Sequence, residues 1–167
     1  GVPPESYLPY QIEKFDEEPL AFCYAFAQNY QTLKYYRHDP PGTSGEAVMK
    51  KLKAYLAAGH PAMFGFTVYN SIEQAEESGK IPFPSKKEKI EGGHAVVAAG
   101  YDDQMKIKNK YGGTETTGAL LIRNSWGKSW GEIGIEGYLN HRTQGVGGVR
   151  SSPFFRRAIS LVAVEGS

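Results

Sequence analysis

Two motifs, Gly92-Gly93-His94-Ala95-Val96-Val97 and Arg123-Asn124-Ser125-Trp126-Gly127-Lys128-Ser129-Trp130-Gly131, bracket the stretch whose reading decides the fold. The first heads an apolar, strand-like run over residues 94–101, and the second closes another over residues 118–123. Polar residues 102–117 separate them as a long hairpin tip, with a turn at Gly112-Gly113. If the two runs pair antiparallel, the histidine that begins one becomes a neighbour of the asparagine that ends the other. An imidazole moves protons near neutral pH, and an asparagine oxygen that accepts from its far ring nitrogen sets its tautomer.

Working outward, residues 62–69 alternate Phe64, Phe66 and Val68 with Met63, Thr67 and Tyr69, the pattern of a buried strand. Ahead of it lies the clearest helix. Thr43 stands three residues before Glu46 as a capping box, Val48, Leu52, Tyr55 and Leu56 recur on one face, and Gly59 with Pro61 stops it. Lys50, Lys51 and Lys53 fall on the opposite, solvated face. Ser71 is read as the cap of a short turn reaching Glu77, and residues 79–92 as a long loop, holding Pro82 and Pro84, that delivers His94. Near the start, residues 1–10 are too proline-rich for a helix. Residues 19–29 favour a short helix and residues 31–37 a strand, although periodicity also allows one helix through both. Beyond the second motif, residues 133–139 read as a further strand and residues 145–152 as a flexible, glycine-rich stretch. Residues 154–164 are apolar enough to dock as strand or helix.

The 167 residues suffice for one domain with a sizeable core. With 19 basic against 18 acidic side chains, bulk charge offers no argument for nucleic acid, membrane or a strongly acidic substrate. No apolar run reaches the roughly 18 residues needed to span a bilayer, and the first residues lack the pattern of a signal peptide. His38, His60 and His141 have no ligand spacing, so neither a metal nor another cofactor is expected. Lys86, Lys87 and Lys89, like Arg142, Arg150, Arg156 and Arg157 near Phe154 and Phe155, read as solvated faces rather than nucleic-acid contacts. The lone cysteine, Cys23, excludes an internal disulfide and sits in apolar company, Phe22-Cys23-Tyr24-Ala25-Phe26.

The histidine and asparagine motifs together resemble the papain-like cysteine peptidases, in which Gly/Asn-His-Ala-Val carries the catalytic histidine and Asn-Ser-Trp-Gly-x-x-Trp-Gly its orienting asparagine. A third segment in the right order, Gly1-Val2-Pro3-Pro4-Glu5-Ser6-Tyr7-Leu8-Pro9-Tyr10, is similar to one that follows the first, mostly helical lobe of that family. The resemblance covers residues 1–139 and leaves residues 140–167 as a tail. It implies an α+β fold, rich in antiparallel strand with a few short helices, matching the barrel-like lobe of the papain-like fold. It also implies an endopeptidase with a Cys-His-Asn mechanism, in which His94 is general base and acid and Asn124 orients it. Trp126 would shield their hydrogen bond and Trp130 pack behind it. A histidine heading a strand is usually a packed core residue, and the tryptophan spacing after Asn124 is what turns the reading towards chemistry. Both tryptophans are themselves expected in the core. Gly65 and Gly92 would border the main specificity pocket and leave room for a bulky apolar or aromatic side chain.

The nucleophile is harder to find. Cys23-Tyr24-Ala25-Phe26-Ala27 looks like the start of the family's catalytic helix, yet Glu18-Pro19-Leu20-Ala21-Phe22 lacks the Cys-Gly-Ser/Ala lead-in and the upstream glutamine. Cys23 lies 71 residues before His94, where about 130 to 150 are expected. It also follows the Tyr-Pro-Tyr-like segment that the family nucleophile precedes. The resemblance therefore puts the nucleophile roughly 40 to 60 residues before Gly1. On this reading the chain is the base-bearing lobe of a two-lobed enzyme and inactive alone. Its partners would be a peptide or protein substrate, the upstream lobe, and a propeptide or second copy at the exposed lobe surface. Two other readings stand beside it: a non-catalytic peptide-binding lobe or pseudoenzyme, and a self-contained hydrolase using Cys23.

Overall fold

The computed structural model describes residues 1–30, 32–112, 115–126, 130, 136–140 and 155–163. The chain divides into two units, residues 1–35 with 161–167, and residues 36–160. In the first, a 3-10 turn over Ile12–Lys14 precedes helix α1 (Ala21–Ala27), which begins just after Pro19 and tightens into a second 3-10 turn over Gln28–Tyr30. Tyr7, Phe22, Phe26 and Tyr30 form one aromatic cluster with ring centroids 5.1 to 5.8 Å apart. Cys23 is buried on α1, and its thiol donates to the Tyr7 carbonyl at 3.6 Å. Strand β1 (Thr32–Arg37) separates from α1 and crosses the division between the units.

The helix that follows β1 in the second unit is α2 (Gly45–Ala57), one residue out of the capping phase expected from Thr43 and Glu46. Ser44 is the cap: its backbone is extended and its hydroxyl accepts from Ala47 N–H at 3.2 Å, three positions on. Val48, Leu52 and Leu56 are buried along one stripe, and Gly59 ends the turn at φ +84°. Lys53 departs from the solvated face expected for it. Its ammonium pairs with Asp103 and lies 5.3 Å from the Tyr101 ring centroid, which ties α2 to the sheet.

Strand β2 (Ala62–Tyr69) leads into a 3-10 turn over Asn70–Gln74 and the single turn α3 (Ala75–Ser78). Ser71 caps neither; it is buried, and its backbone N–H donates to Glu88. The supposed long loop is broken by β3 (Lys80–Ile81) and ends where β4 (Ile90–Lys108) begins, leaving only residues 82–89 as loop. Strands β5 (Glu115–Arg123), β6 (Glu136–Asn140) and β7 (Phe155–Ala163) complete the set. β7 decides the tail segment for strand, whereas residues 133–135 and the stretch 145–152 lie outside the described residues. Side by side run β7, β2, β4, β5, β6 and β3, with every neighbouring pair antiparallel except β3 with β6.

The hairpin is longer than hydropathy suggests. Pairing runs out to Lys108 opposite Glu115, within the span 102–117 that hydropathy assigns to the tip. Polar residues remain in β4 because a bulge between Asp102 and Lys106, across from Gly118 at φ +93°, absorbs the local insertion, and the Asp102 carboxylate accepts from Gln104 and Met105 N–H. Phe64, Phe66, Val96, Ala98, Leu120 and Ile122 point to one side of the sheet, where Leu52 and Leu56 of α2 close the core.

His38 is buried edge-on against Tyr55, ring centroids 4.9 Å apart. Burial lowers its pKa, Lys51 acts in the same direction, and Asp39 opposes both. The unfolded chain therefore takes up this proton first as pH falls through the ordinary histidine value of about 6.5. Stability is full above that value and is lost below it, down to the lower folded pKa. The urea midpoint is expected to fall between about pH 7 and pH 5.5, and to fall less in His38→Gln. The cap assignment predicts that Ser44→Ala costs about 1 kcal/mol while Thr43→Ala stays within a few tenths.

Candidate active site

His94 is the fifth residue of β4 and stands opposite Phe66 in the β2–β4 ladder. The β4–β5 ladder sets Val97 opposite Arg123. One step further along the same register, Asn124 falls opposite Val96, two residues from His94 and on its face, the diagonal relation across which side chains meet. Accordingly His94 Nε2 lies 2.8 Å from Asn124 Oδ1. Ser125 N–H donates to the same oxygen at 2.8 Å, and two converging donors identify that atom as the acceptor. In the neutral ring, Nε2 therefore carries the proton and Nδ1 keeps its lone pair.

Aromatic rings bound this pair. Trp126 stacks on the His94 imidazole with centroids 4.7 Å apart and planes at 21°, while Phe66 presents its edge at 5.8 Å. Trp130 packs edge-on to Trp126 at 5.4 Å. The two tryptophans differ in setting. Trp130 is buried within the hydrophobic core, but Trp126 remains 45% exposed and is no core residue, because what the imidazole and Trp130 leave uncovered meets solvent. Asn124 is 5% exposed, so the oxygen that receives both donors is screened from water.

The glycines divide. Gly65 lies beside Ala95 in the ladder, and a side chain there would stand 3.7 Å from the His94 carbonyl in ordinary contact. Gly92 pairs with Val68, three ladder positions away, so the two do not adjoin. Its φ of +156° already favours glycine, with open space around the missing Cβ. Hydropathy left one feature unmarked: a largely apolar groove of about 290 Å³ lined by Met63, Ala95, Val96, Val97, Arg123, Asn124 and Ser125. Its signal was the alternation of β2, which leaves Met63 outward and 44% exposed between buried Ala62 and Phe64. Cys23 belongs to the other unit and is buried with its thiol on the Tyr7 carbonyl. Among the described residues no cluster of three His, Cys, Asp or Glu side chains is arranged to hold a metal.

A strand-borne His-Asn pair under a Trp, set in an antiparallel α+β lobe, defines a class. Residues 1–155 match the model of the papain family of cysteine proteases, and the chain belongs to that family. It is 30% identical over 143 residues to an uncharacterised peptidase C1-like protein of Acanthamoeba polyphaga mimivirus, covering 84% of this chain and 41% of that protein. Against a cathepsin B-like protein of Giardia intestinalis it is 37% identical over 95 residues, 56% of this chain and 26% of the other. Xylellain, a cysteine protease from Xylella fastidiosa, superposes with a TM-score of 0.69 at 29% identity over 98% of this chain and 57% of its own. The bromelain protease of Ananas comosus shares the fold, with a TM-score of 0.58 at 18% identity over 96% of this chain and 62% of its own. The chain thus spans less than two thirds of each of these relatives.

Trp126 stacked on His94 holds the imidazole protons within the shielding region of the indole. Trp126→Ala is expected to move the His94 ring-proton resonances downfield in solution NMR, with the amide spectrum of β2, β4 and β5 otherwise preserved.

Proposed function

We propose that this chain supplies the base-bearing lobe of a papain-like endopeptidase, with His94 as general base and acid and Asn124 as its orienting partner. The observation that carries the reading is the 2.8 Å contact between His94 Nε2 and Asn124 Oδ1, which leaves Nδ1 as the proton acceptor. A cysteine thiol gives its proton to Nδ1 and its sulfur attacks the scissile carbonyl. The imidazolium then returns the proton to the leaving amine, and a water molecule, deprotonated by the same nitrogen, releases the acyl group.

The thiol comes from a lobe outside residues 1–167. Cys23 fits a structural role better, being buried and donating to a backbone carbonyl. That the matched relatives continue well beyond the aligned region agrees with a second lobe. The groove through Met63, Val97 and Arg123 is the surface proposed to receive it, because Asn124 lines the same groove and a lobe seated there would meet the His-Asn pair. Gly65, beside Ala95, leaves space for a bulky apolar substrate side chain; Gly92, governed by its backbone, contributes less.

Peptide turnover is the test. The isolated chain should hydrolyse no peptide, and addition of a recombinant lobe bearing the cysteine should restore turnover, reduced at least about 100-fold by His94→Ala. Turnover by the isolated chain that disappears with Cys23→Ala would overturn the assignment, and peptide binding without turnover in the reconstituted pair would favour a non-catalytic lobe. Met63→Glu should weaken reconstitution about tenfold or more by carrying a charge into a largely apolar seam, without altering the fold of the chain alone.

A further inference from the structure

Four residues before His94, the chain enters β4 through a set of contacts that the catalytic reading does not use. Asn70 N–H donates to the Lys89 carbonyl at 3.1 Å, and Lys89 N–H donates back to the Asn70 side-chain oxygen at 2.9 Å. This reciprocal pair continues the β2–β4 ladder past the turn. Next to it, the Glu88 carboxylate accepts from three donors: Ser71 N–H at 3.2 Å on one oxygen, with Ser85 N–H at 2.6 Å and Asn109 Nδ2 on the other. Asn109 is itself buried at the hairpin tip, donating also to the Phe83 carbonyl and accepting from Tyr111 N–H. Glu88 thereby joins the turn after β2, the loop 82–89 and the tip of the β4–β5 hairpin.

Where this cluster hands the chain to β4, the register shifts. Tyr69 pairs with Ile90 but Val68 with Gly92, so Glu91 is the extra residue of a bulge, with Gly92 at φ +156° completing it. The count matters because a one-residue slip turns every following side chain to the opposite face. With the bulge in place, His94 falls opposite Phe66 on the face that Asn124 shares. Burial alone would raise the Glu88 carboxyl, yet the hydrogen bonds from Ser71, Ser85 and Asn109 outweigh it and hold the group below its ordinary value, as expected of an ionised hub.

We infer that Asn70 and Glu88 are positioning residues for His94, fixing the bulge at Glu91 and Gly92 and so the strand register that presents the imidazole to Asn124. The inference rests on the proposed role of His94, but its test needs no second lobe. In the isolated chain, the solvent exchange of the His94 Nε2 proton is followed by NMR together with the amides of Leu120 and Ile122. Asn70→Ala and Glu88→Ala should each speed exchange of the imidazole proton about tenfold or more while leaving the two core amides protected. Asn70→Asp, which keeps the acceptor for Lys89, should behave as the unmodified chain. Glu88→Gln retains one acceptor oxygen for Ser85 and Asn109 but turns an amide group towards the Ser71 N–H, and should lie between.

Unchanged imidazole exchange in both alanine variants, with protection lost only in residues 83–89, would overturn the inference and leave these residues as anchors of the loop alone. Should an alanine variant lose core protection, the ordering of Asn70→Asp and Glu88→Gln decides. An imidazole proton in Glu88→Gln as slow as in Asn70→Asp contradicts the proposal. Failure of reconstituted turnover would leave this result standing, so the two claims fail separately.

Discussion

Phe66 opposite His94, and Val97 opposite Arg123, are the two pairings from which the site follows. Together they bring an imidazole and a carboxamide from different strands onto one face, as diagonal neighbours, within a hydrogen bond. Nothing in the local preference of either segment orients these side chains. Their geometry is a property of the three-stranded register of β2, β4 and β5, and the core built from Phe64, Phe66, Val96, Ala98, Leu120 and Ile122 is what makes any other register costly.

The surroundings then divide the labour between the two ring nitrogens. Asn124 is buried and receives donors from His94 and Ser125 on one oxygen, so Nε2 is committed to it. A buried hydrogen bond of this kind is worth more than one in water, and breaking it would strand both groups. Trp126 covers the imidazole from one side yet keeps much of its own surface in solvent, whereas Trp130 is locked into the core behind it. A rigid support and an exposed cover suit the role proposed for His94, which is to hold one tautomer and still meet a partner.

Much of this arrangement was legible in the sequence. The alternation in residues 62–69 and the apolar runs on either side of the hairpin foretold β2, β4 and β5, and the Asn-Ser-Trp spacing singled out the atoms that meet. What escaped was set by interactions between segments. The polar end of β4 reads as loop until Asp102 is seen bracing a bulge against Gly118, and Ser71 reads as a cap until its N–H is traced to Glu88. Thr43 and Ser44 compete for one cap, and only backbone geometry separates them. Glu88 and Asn109 carry no motif at all, since besides one local partner each they act on groups 17 to 26 residues distant. The phase of the bulge at Glu91 is likewise invisible to periodicity, although it decides which way His94 points.

The family relationship fixes the chemistry to be expected of a complete enzyme, and the share of it proposed for this chain is the proton transfer. The most direct measurement is the site of covalent labelling by a peptide-like, thiol-directed electrophile, read by intact mass and peptide mapping with and without a recombinant lobe carrying the cysteine. The account predicts no adduct on the isolated chain, and an adduct on the added lobe's cysteine that requires this chain and is lost with His94→Ala. Rapid labelling of Cys23 in the isolated chain would contradict it, because a buried thiol held by the Tyr7 carbonyl should resist a reagent that a histidine-activated thiolate accepts.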